Sequence, residues 1–355
     1  MSRAHPMAAK ENNDPKWTFK WQVAGAAQDP FLLLDFENDG LAVLFDCGVR
    51  SKVKTILKLK HLFISHAHID HLIGFDHIIR SLLGENKTLH IHGPKGIVDR
   101  LAAKLAGYDW DKSSEQELIL EINAYHRGYR YQETLACNHR FERKIKPLVT
   151  PYTGPIVDEP RFQVYAISVP HGGSPCHAYA LIEKDAARID KEHMQKLGLE
   201  PGPWVGNLLK YLPELDGAEC SEPIKIDEKI YDRKWLIEKL VRIKKGKKIV
   251  YITDTAYAAS WVNRLKTVAM NADLIVCEST FMQTDSHLAS TYHHLTSTQA
   301  AQIAKKLNAA RLVLFHISSR YHPNLYQAVR EAKTIFPRTE MAQTPRRNSH
   351  RNYKG

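Results

Sequence analysis

The stretch Leu59-Lys60-His61-Leu62-Phe63-Ile64-Ser65-His66-Ala67-His68-Ile69-Asp70-His71-Leu72 decides how this chain is read. Leu59–Ser65 is an apolar run of strand length, and a helical spacing of apolar residues takes over at Leu72 and continues to Leu83. Between them His66, His68, Asp70 and His71 place three imidazoles and one carboxylate within six positions. A chain leaving a strand and entering a helix drops the intervening residues into a loop, where several side chains can aim at one point. Imidazole nitrogen and carboxylate oxygen suit zinc. So short a loop cannot wrap four ligands around one ion, whereas two ions ~3.5–4 Å apart can share them. With 19 histidines in the chain, chance clustering is the competing explanation. The strand-then-helix frame weighs against it.

Outward from this stretch the same arrangement recurs. Phe31–Phe36 and Leu41–Phe45 read as strands around the turn Glu37-Asn38-Asp39-Gly40, the second ending at Asp46-Cys47-Gly48. Leu89–His92 is a short strand closed by Gly93-Pro94-Lys95-Gly96, with a helix over Ile97–Ala106. Phe162–Val169 stops at Pro170-His171, and Tyr179–Ile182 reads as its hairpin partner. Lys248–Ile252 ends in Thr253-Asp254-Thr255, Asp273–Cys277 in Glu278, and Leu312–Phe315 in His316. Helices are expected at Asp232–Ile243, Ala256–Leu265, Ser297–Leu307 and Asn324–Phe336. Short buried strands thus end repeatedly in Asp, His or Glu, which is how α/β scaffolds assemble a site at one sheet edge. Residues 107–160 carry only weak periodicity, around Glu115–Ile122.

A two-metal centre needs six or seven ligands and a bridging carboxylate, and the strand ends supply them. His66, His68 and His171 would hold one zinc, Asp70, His71 and His316 the other, with Asp254 between. Asp254 has a second reading, as the N-cap of the helix that follows it. Asp46 is expected to bond the histidine-bearing loop or an imidazole N–H rather than a metal.

Composition bounds the class. At 355 residues with 43% hydrophobic and 25% charged content, the chain is ordinary for a globular protein. No apolar run approaches the ~20 residues of a membrane span, and the polar N-terminus lacks a signal-peptide core, so a cytoplasmic location is expected. The five cysteines are scattered with no Cys-x-x-Cys pair, which excludes a disulfide framework or thiolate zinc site as the organising feature. A net charge of +11 favours polyanionic partners. Arg242–Lys248 forms a dense basic run. Residues 1–16 read as a flexible arm, 17–336 as one catalytic domain with insertions at 107–160 and 184–247, and 337–355 as a basic, disordered tail.

The ordered motifs resemble those of the metallo-β-lactamase superfamily and, within it, the ribonuclease Z family. His66-x-His68-x-Asp70-His71, His171, Asp254 and His316 carry the superfamily likeness. Gly93-Pro94-Lys95-Gly96, Leu197–Trp204 with its Pro201-Gly202-Pro203, Glu278-Ser279-Thr280-Phe281, His294-x-Thr296-Ser297 and Phe315-His316-x-Ser318-x-Arg320-Tyr321 carry the family likeness. Together they span roughly 41–100, 164–210 and 246–336. The resemblance implies an αββα sandwich of two mixed β-sheets with outer helices. It further implies two Zn2+ per subunit (Mn2+ or Fe2+ as substitutes) on His66, His68, Asp70, His71, His171, Asp254 and His316, with Asp70 close to the attacking water. Glu278 would orient His294, which would protonate the leaving 3′-oxygen. The implied reaction is endonucleolytic removal of the 3′ trailer of precursor tRNA, by a homodimer. A second reading is a small-molecule hydrolase of the same superfamily, acting on a cyclic nucleotide, phosphonate or lactone. It rests on Val23–Ala27, where that family has a Gly-rich turn, and on residues 107–160.

Overall fold

The computed structural model describes residues 10–12, 17–48, 53–111, 113–143, 147–210 and 222–342. These fall into two compact units, the smaller being residues 160–162 and 183–247.

The larger unit begins with a nine-stranded sheet laid down in chain order: β1 (Lys10–Asn12), β2 (Lys20–Val23), β3 (Leu32–Phe36), β4 (Leu41–Phe45), β5 (Leu59–Phe63), β6 (Thr88–Pro94), β7 (Ile119–His126), β8 (Tyr129–Ala136) and β9 (Leu148–Pro151). Strands β4 to β7 run parallel and the outer pairs antiparallel. The parallel crossovers carry α1 (Val53–Leu57), α2 (Ile69–Leu72), α3 (Phe75–Leu82) and α4 (Ile97–Ala106). A second sheet opens with β10 (Val157–Asp158), β11 (Phe162–His171) and β12 (Ser174–Glu183).

The chain then forms the smaller unit. There β13 (Ala186–Ile189) is followed by α5 (Lys191–Lys196), α6 (Pro203–Lys210), the hairpin β14 (Ile224–Ile226) and β15 (Lys229–Tyr231), α7 (Arg233–Leu240) and β16 (Val241–Lys244). Met194, Leu199, Trp204, Leu208, Leu236 and Leu240 form its own core. The larger unit resumes with β17 (Lys248–Ile252), α8 (Ala259–Ala269), β18 (Leu274–Glu278), α9 (Ser286–Tyr292), α10 (Ser297–Lys306), β19 (Leu312–Phe315), α11 (Tyr326–Lys333) and β20 (Thr339–Met341). Strands β17 to β20 are parallel neighbours, and β17 lies antiparallel to β12.

Sequence explains the layering. Strands β17, β18 and β19 are unbroken apolar runs because both of their faces are covered. Phe45 and Phe63 of the first sheet meet Tyr179 of the second at ring separations of 5.7 and 5.4 Å, closing the sandwich. On the outer face Trp261, Val262 and Leu265 of α8, Ala300 and Ile303 of α10 and Val329 of α11 pack on Val250, Ile275 and Leu312. Helix α10 starts at a capping box in which Thr296 and Gln299 satisfy each other's backbone N–H groups. This is the αββα arrangement of two mixed sheets with outer helices.

Several expectations need correcting. The helix expected over Asp232–Ile243 ends at Leu240, because Val241 and Ile243 are β-branched and β16 pairs with β13. The helix expected over Leu72–Leu83 begins at Ile69 and breaks at Ile73-Gly74, where the Gly74 N–H donates to the Cys47 carbonyl. Lys10–Asn12, assigned to a loose arm, is an edge strand on β2. Thr339–Met341, assigned to a disordered tail, covers the edge of β19. Residues 1–9, 13–16 and 343–355 lie outside the described residues. No helix among the described residues is long and apolar enough to cross a membrane.

Candidate metal and proton-transfer site

Four strand ends build the site. Past β5 the chain places His66, His68, Asp70 and His71, the last two on the single turn α2. His171 ends β11, Asp254 follows β17 and His316 follows β19. Asp46 and His316 both take left-handed backbone, φ 51° in each case. That conformation costs a non-glycine residue about 1 kcal/mol or more, and it turns each side chain sharply inward at its strand end.

Asp46 is the hub beneath the cluster. Fully buried, it accepts from the Ser65 amide at 2.7 Å, the Ser65 hydroxyl at 2.7 Å, the Tyr251 hydroxyl at 3.0 Å and His71 Nδ1 at 2.8 Å. Committing Nδ1–H to Asp46 leaves Nε2 as the His71 atom that faces the centre, where it would ligate a metal once its own proton is lost. His171 is fixed in the same way, donating Nδ1–H to the His293 carbonyl at 3.0 Å. Gly48 locks the α2 turn against the strand end. A Cβ there would lie 2.5 Å from the Asp70 carbonyl oxygen and 2.5 Å from the Asp29 carbonyl carbon.

Asp254 sits at the middle, its two oxygens facing different histidines. Oδ2 lies 3.6 Å from His66 Nε2 and 3.7 Å from His171 Nε2. Oδ1 lies 3.5 Å from His71 Nε2 and 3.2 Å from His316 Nε2. Asp70 Oδ2 is 3.4 Å from His71 Nε2 and 3.7 Å from His316 Nε2. Asp254 therefore caps no helix; the first residue before α8 is Ala258. Burial would raise the Asp254 pKa, but the surrounding His316 and His71 imidazoles hold it well below the ordinary carboxylate range. Burial, reinforced by His71, drives His66 down to about 2, so its imidazole is neutral.

Three tight donor groups result: His66 with His68, His171 and Asp254; Asp70 with His71 and His316; and Asp254 with Glu278 and His294. Within them His66 Nε2 and His71 Nε2 are buried nitrogens with no hydrogen-bond partner. Burying such atoms bare is costly. Two donors each about 2.0–2.2 Å from a tetrahedral ion lie about 3.3–3.6 Å apart, close to the separations around Asp254. The donor set therefore fits divalent metal.

Beside this cluster stands a second pairing. His294 Nδ1 lies 3.0 Å from Glu278 Oε2, and His294 Nε2 reaches to 3.9 Å from Asp254. Burial lowers the His294 pKa, yet Glu278 outweighs it and raises the group to about 9. Glu278 is itself anchored by the Thr255 amide at 2.7 Å and the Thr280 hydroxyl at 2.5 Å. The arrangement can hold a proton beside a phosphodiester oxygen. All eight side chains singled out from sequence, together with Glu278, meet in this one region. Sequence reading passed over Thr280, Thr255, Ser65 and Tyr251, which orient the others. Single hydroxyl residues and backbone amides leave no spacing pattern to find.

Residues 235–317 match a family model described as the Beta-lactamase superfamily domain. Over most of its length the chain is similar to the ribonuclease Z of Listeria welshimeri serovar 6b, at 31% identity covering 84% of this chain and 86% of that protein. It is also similar to the ribonuclease Z of Deinococcus radiodurans, at 28% identity over 85% and 90%. Among solved structures, the short form of human tRNase Z superposes with a TM-score of 0.51 at 17% identity, covering 92% of this chain and 96% of that one. At that identity the superposition speaks to the fold.

Proposed function

This chain belongs to the ribonuclease Z family, and from that premise we propose that it is a two-zinc phosphodiesterase removing the 3′ trailer of precursor tRNA. The observation that carries the reading is the Asp254 carboxylate between two imidazole groups with the Glu278–His294 pair alongside. His66, His68, His171 and Asp254 would hold one ion, and Asp70, His71 and His316, beside Asp254, would hold its neighbour. Divalent ions bound there supply the Lewis acidity that activates water and offsets phosphate charge.

The chain's own groups divide the remaining work. Asp46 and the His293 carbonyl keep His71 and His171 in the tautomer that presents Nε2 inward. Glu278 holds His294 protonated, so its imidazolium can donate to the 3′-oxygen as the P–O3′ bond breaks, leaving a 3′-hydroxyl on the RNA and a 5′-phosphate on the trailer. Ile69, 78% exposed, and Ile73, 53% exposed, stand beside the metal loop. They support a homodimer with that loop near the interface, which light scattering would read directly. The basic charge supports an RNA substrate, and a cytoplasmic location fits tRNA processing.

The test is incubation of the purified protein with a precursor tRNA carrying a 3′ trailer, followed by sequencing of the product ends. Cleavage at the discriminator end that is abolished by chelation and restored by zinc is expected. Hydrolysis of bis-p-nitrophenyl phosphate with no cut in the precursor would overturn the reading in favour of a small-phosphodiester hydrolase.

A further inference from the structure

Strands β5, β6 and β7 are parallel, so their C-terminal ends line one sheet edge in order. Phe63 pairs with His92 and Pro94 with Tyr125. The next residues outward are therefore the metal loop on β5, Lys95 after β6 and the His126–Arg130 hairpin tip after β7. Neighbouring strands stand about 4.8 Å apart, which makes this edge a row leading away from His66 and His68.

The row is cationic. A groove of about 190 Å³ opens directly beside His68 and is walled by Lys95, Arg100 and Ser174. Gly96, at φ +85°, lets the Arg100 guanidinium fold back into the space a Cβ would fill. Asp99, the acid nearest in sequence, is engaged by Arg143 at 2.6 Å. Beyond the groove the β7–β8 turn exposes Arg127, Gly128 and Tyr129, the tyrosine ring 48% exposed. Burial first, and then the charges of Arg127 and Lys95, lower the His126 pKa at the hairpin tip. Lys95, Arg100 and Arg127 have no carboxylate partner among the described residues.

We propose that Lys95, Arg100, Arg127 and Tyr129 form a track for single-stranded RNA, which takes the 3′ trailer as it leaves the metal centre past His68. Cations along a groove follow a phosphate backbone, and an exposed ring gives an unpaired base a stacking face. Position selects the trailer. His294, the donor to the leaving 3′-oxygen, marks the side of the mature RNA, and His171 stands between it and His68, with ring separations of 5.2 and 5.0 Å. The track thus lies on the side away from His294. This inference rests on the endonuclease reading above and assigns these residues a positioning role, since none of them touches the reacting atoms.

The test separates the two readings. Fluorescence anisotropy would follow binding of a labelled, 5′-phosphorylated ten-nucleotide RNA, the product trailer, which requires no cleavage. The variants are Lys95→Ala/Arg127→Ala, Tyr129→Ala and, as a control on a remote face, Lys333→Ala. The double variant should weaken binding about ten-fold and reduce the slope of log affinity against log salt by about 1.4, at about 0.7 for each phosphate contact in a single strand. Tyr129→Ala should weaken binding about five- to ten-fold with the slope unchanged. Hydrolysis of bis-p-nitrophenyl phosphate, which reports the metal centre alone, should be unaltered in all three. With precursor tRNA, kcat/KM should fall only for a long trailer and stay level for a one-nucleotide trailer. No RNA binding by the wild type, an unchanged salt slope, an equal loss in Lys333→Ala or an equal loss for both trailer lengths would each overturn the track. Failure of the wild type to cut any precursor would instead remove the endonuclease reading, while the binding series would still decide whether the edge takes single-stranded RNA.

Discussion

Asp46 never reaches the metal position, yet four donors converge on it, and its removal exposes how the centre is held. Asp46→Ala strands the Ser65 amide, the Ser65 and Tyr251 hydroxyls and His71 Nδ1 in a buried site. Each lost partner costs about 1–3 kcal/mol, less whatever water recovers. His71 would also lose its fixed tautomer, so metal affinity should fall about 10–100-fold, measurable by competition with a chromophoric chelator. Two histidines on either side of His171 should separate cleanly. His68→Ala should lose bound metal and all turnover together. His294→Ala should keep its metal and lose about 10²–10⁴ in rate. Equal metal loss in both variants, read by elemental analysis, would move His294 from proton donor to ligand.

At the scale of elements, the parallel strand ends and the α2 turn behave as one clamp. The Cys47 amide donates to the His71 carbonyl at 2.9 Å, the Gly74 amide to the Cys47 carbonyl at 2.7 Å and the Gly48 amide to the Pro30 carbonyl at 2.9 Å. Gly48→Ala forces a methyl against backbone on two sides, and backbone cannot swing away as a side chain can. The cost should be about 1–3 kcal/mol, with α2 and Asp70 displaced. A fall in the unfolding midpoint accompanied by weaker metal binding is expected, and retention of both would show the clamp to be slack. These elements were the legible ones. β17 and β19 run as expected, α4 matches Ile97–Ala106, and Glu278 extends β18 by one residue. Buried parallel strands are apolar throughout and end in a polar residue, so their limits can be read from one chain. The hairpin β7–β8 could not be read, because polar side chains fall on both faces, Glu121 and Gln132 on one and Tyr131 and Glu133 on the other, and break the apolar alternation. The helix α7 was overrun for the opposite reason: a helical spacing continued through Val241–Ile243, and only the pairing with β13 turned it to strand.

Across the whole molecule the same burial that neutralises His66 and lowers His171 sets an acid limit on the fold. His61 lies on β5 within the first sheet, Nδ1 3.1 Å from His92 Nε2 and Nε2 3.0 Å from Glu159. His177 on β12 is buried with Nδ1 unpartnered. Burial is the largest influence on both and lowers each from 6.5 to about 4. In both cases the unfolded chain binds a proton more readily than the folded one between about pH 4 and 6.5. Stability therefore rises with pH across that window, is fully present above 6.5 and is lost as pH falls toward 4. At 1.36 kcal/mol for each pH unit and proton, each group is worth on the order of 3 kcal/mol by pH 4. Urea unfolding of the metal-free protein, which removes acid-driven release of metal as a source of acid sensitivity, should show this slope. His177→Leu deletes one of the two protons along with an unpaired buried nitrogen. Its stability should fall less steeply by about 1.4 kcal/mol per pH unit inside the window and keep the wild-type slope above it. An unchanged slope would mean that His177 binds its proton equally well in the native and unfolded states, and that the acid limit is set by other buried histidines, His61, His66 and His92.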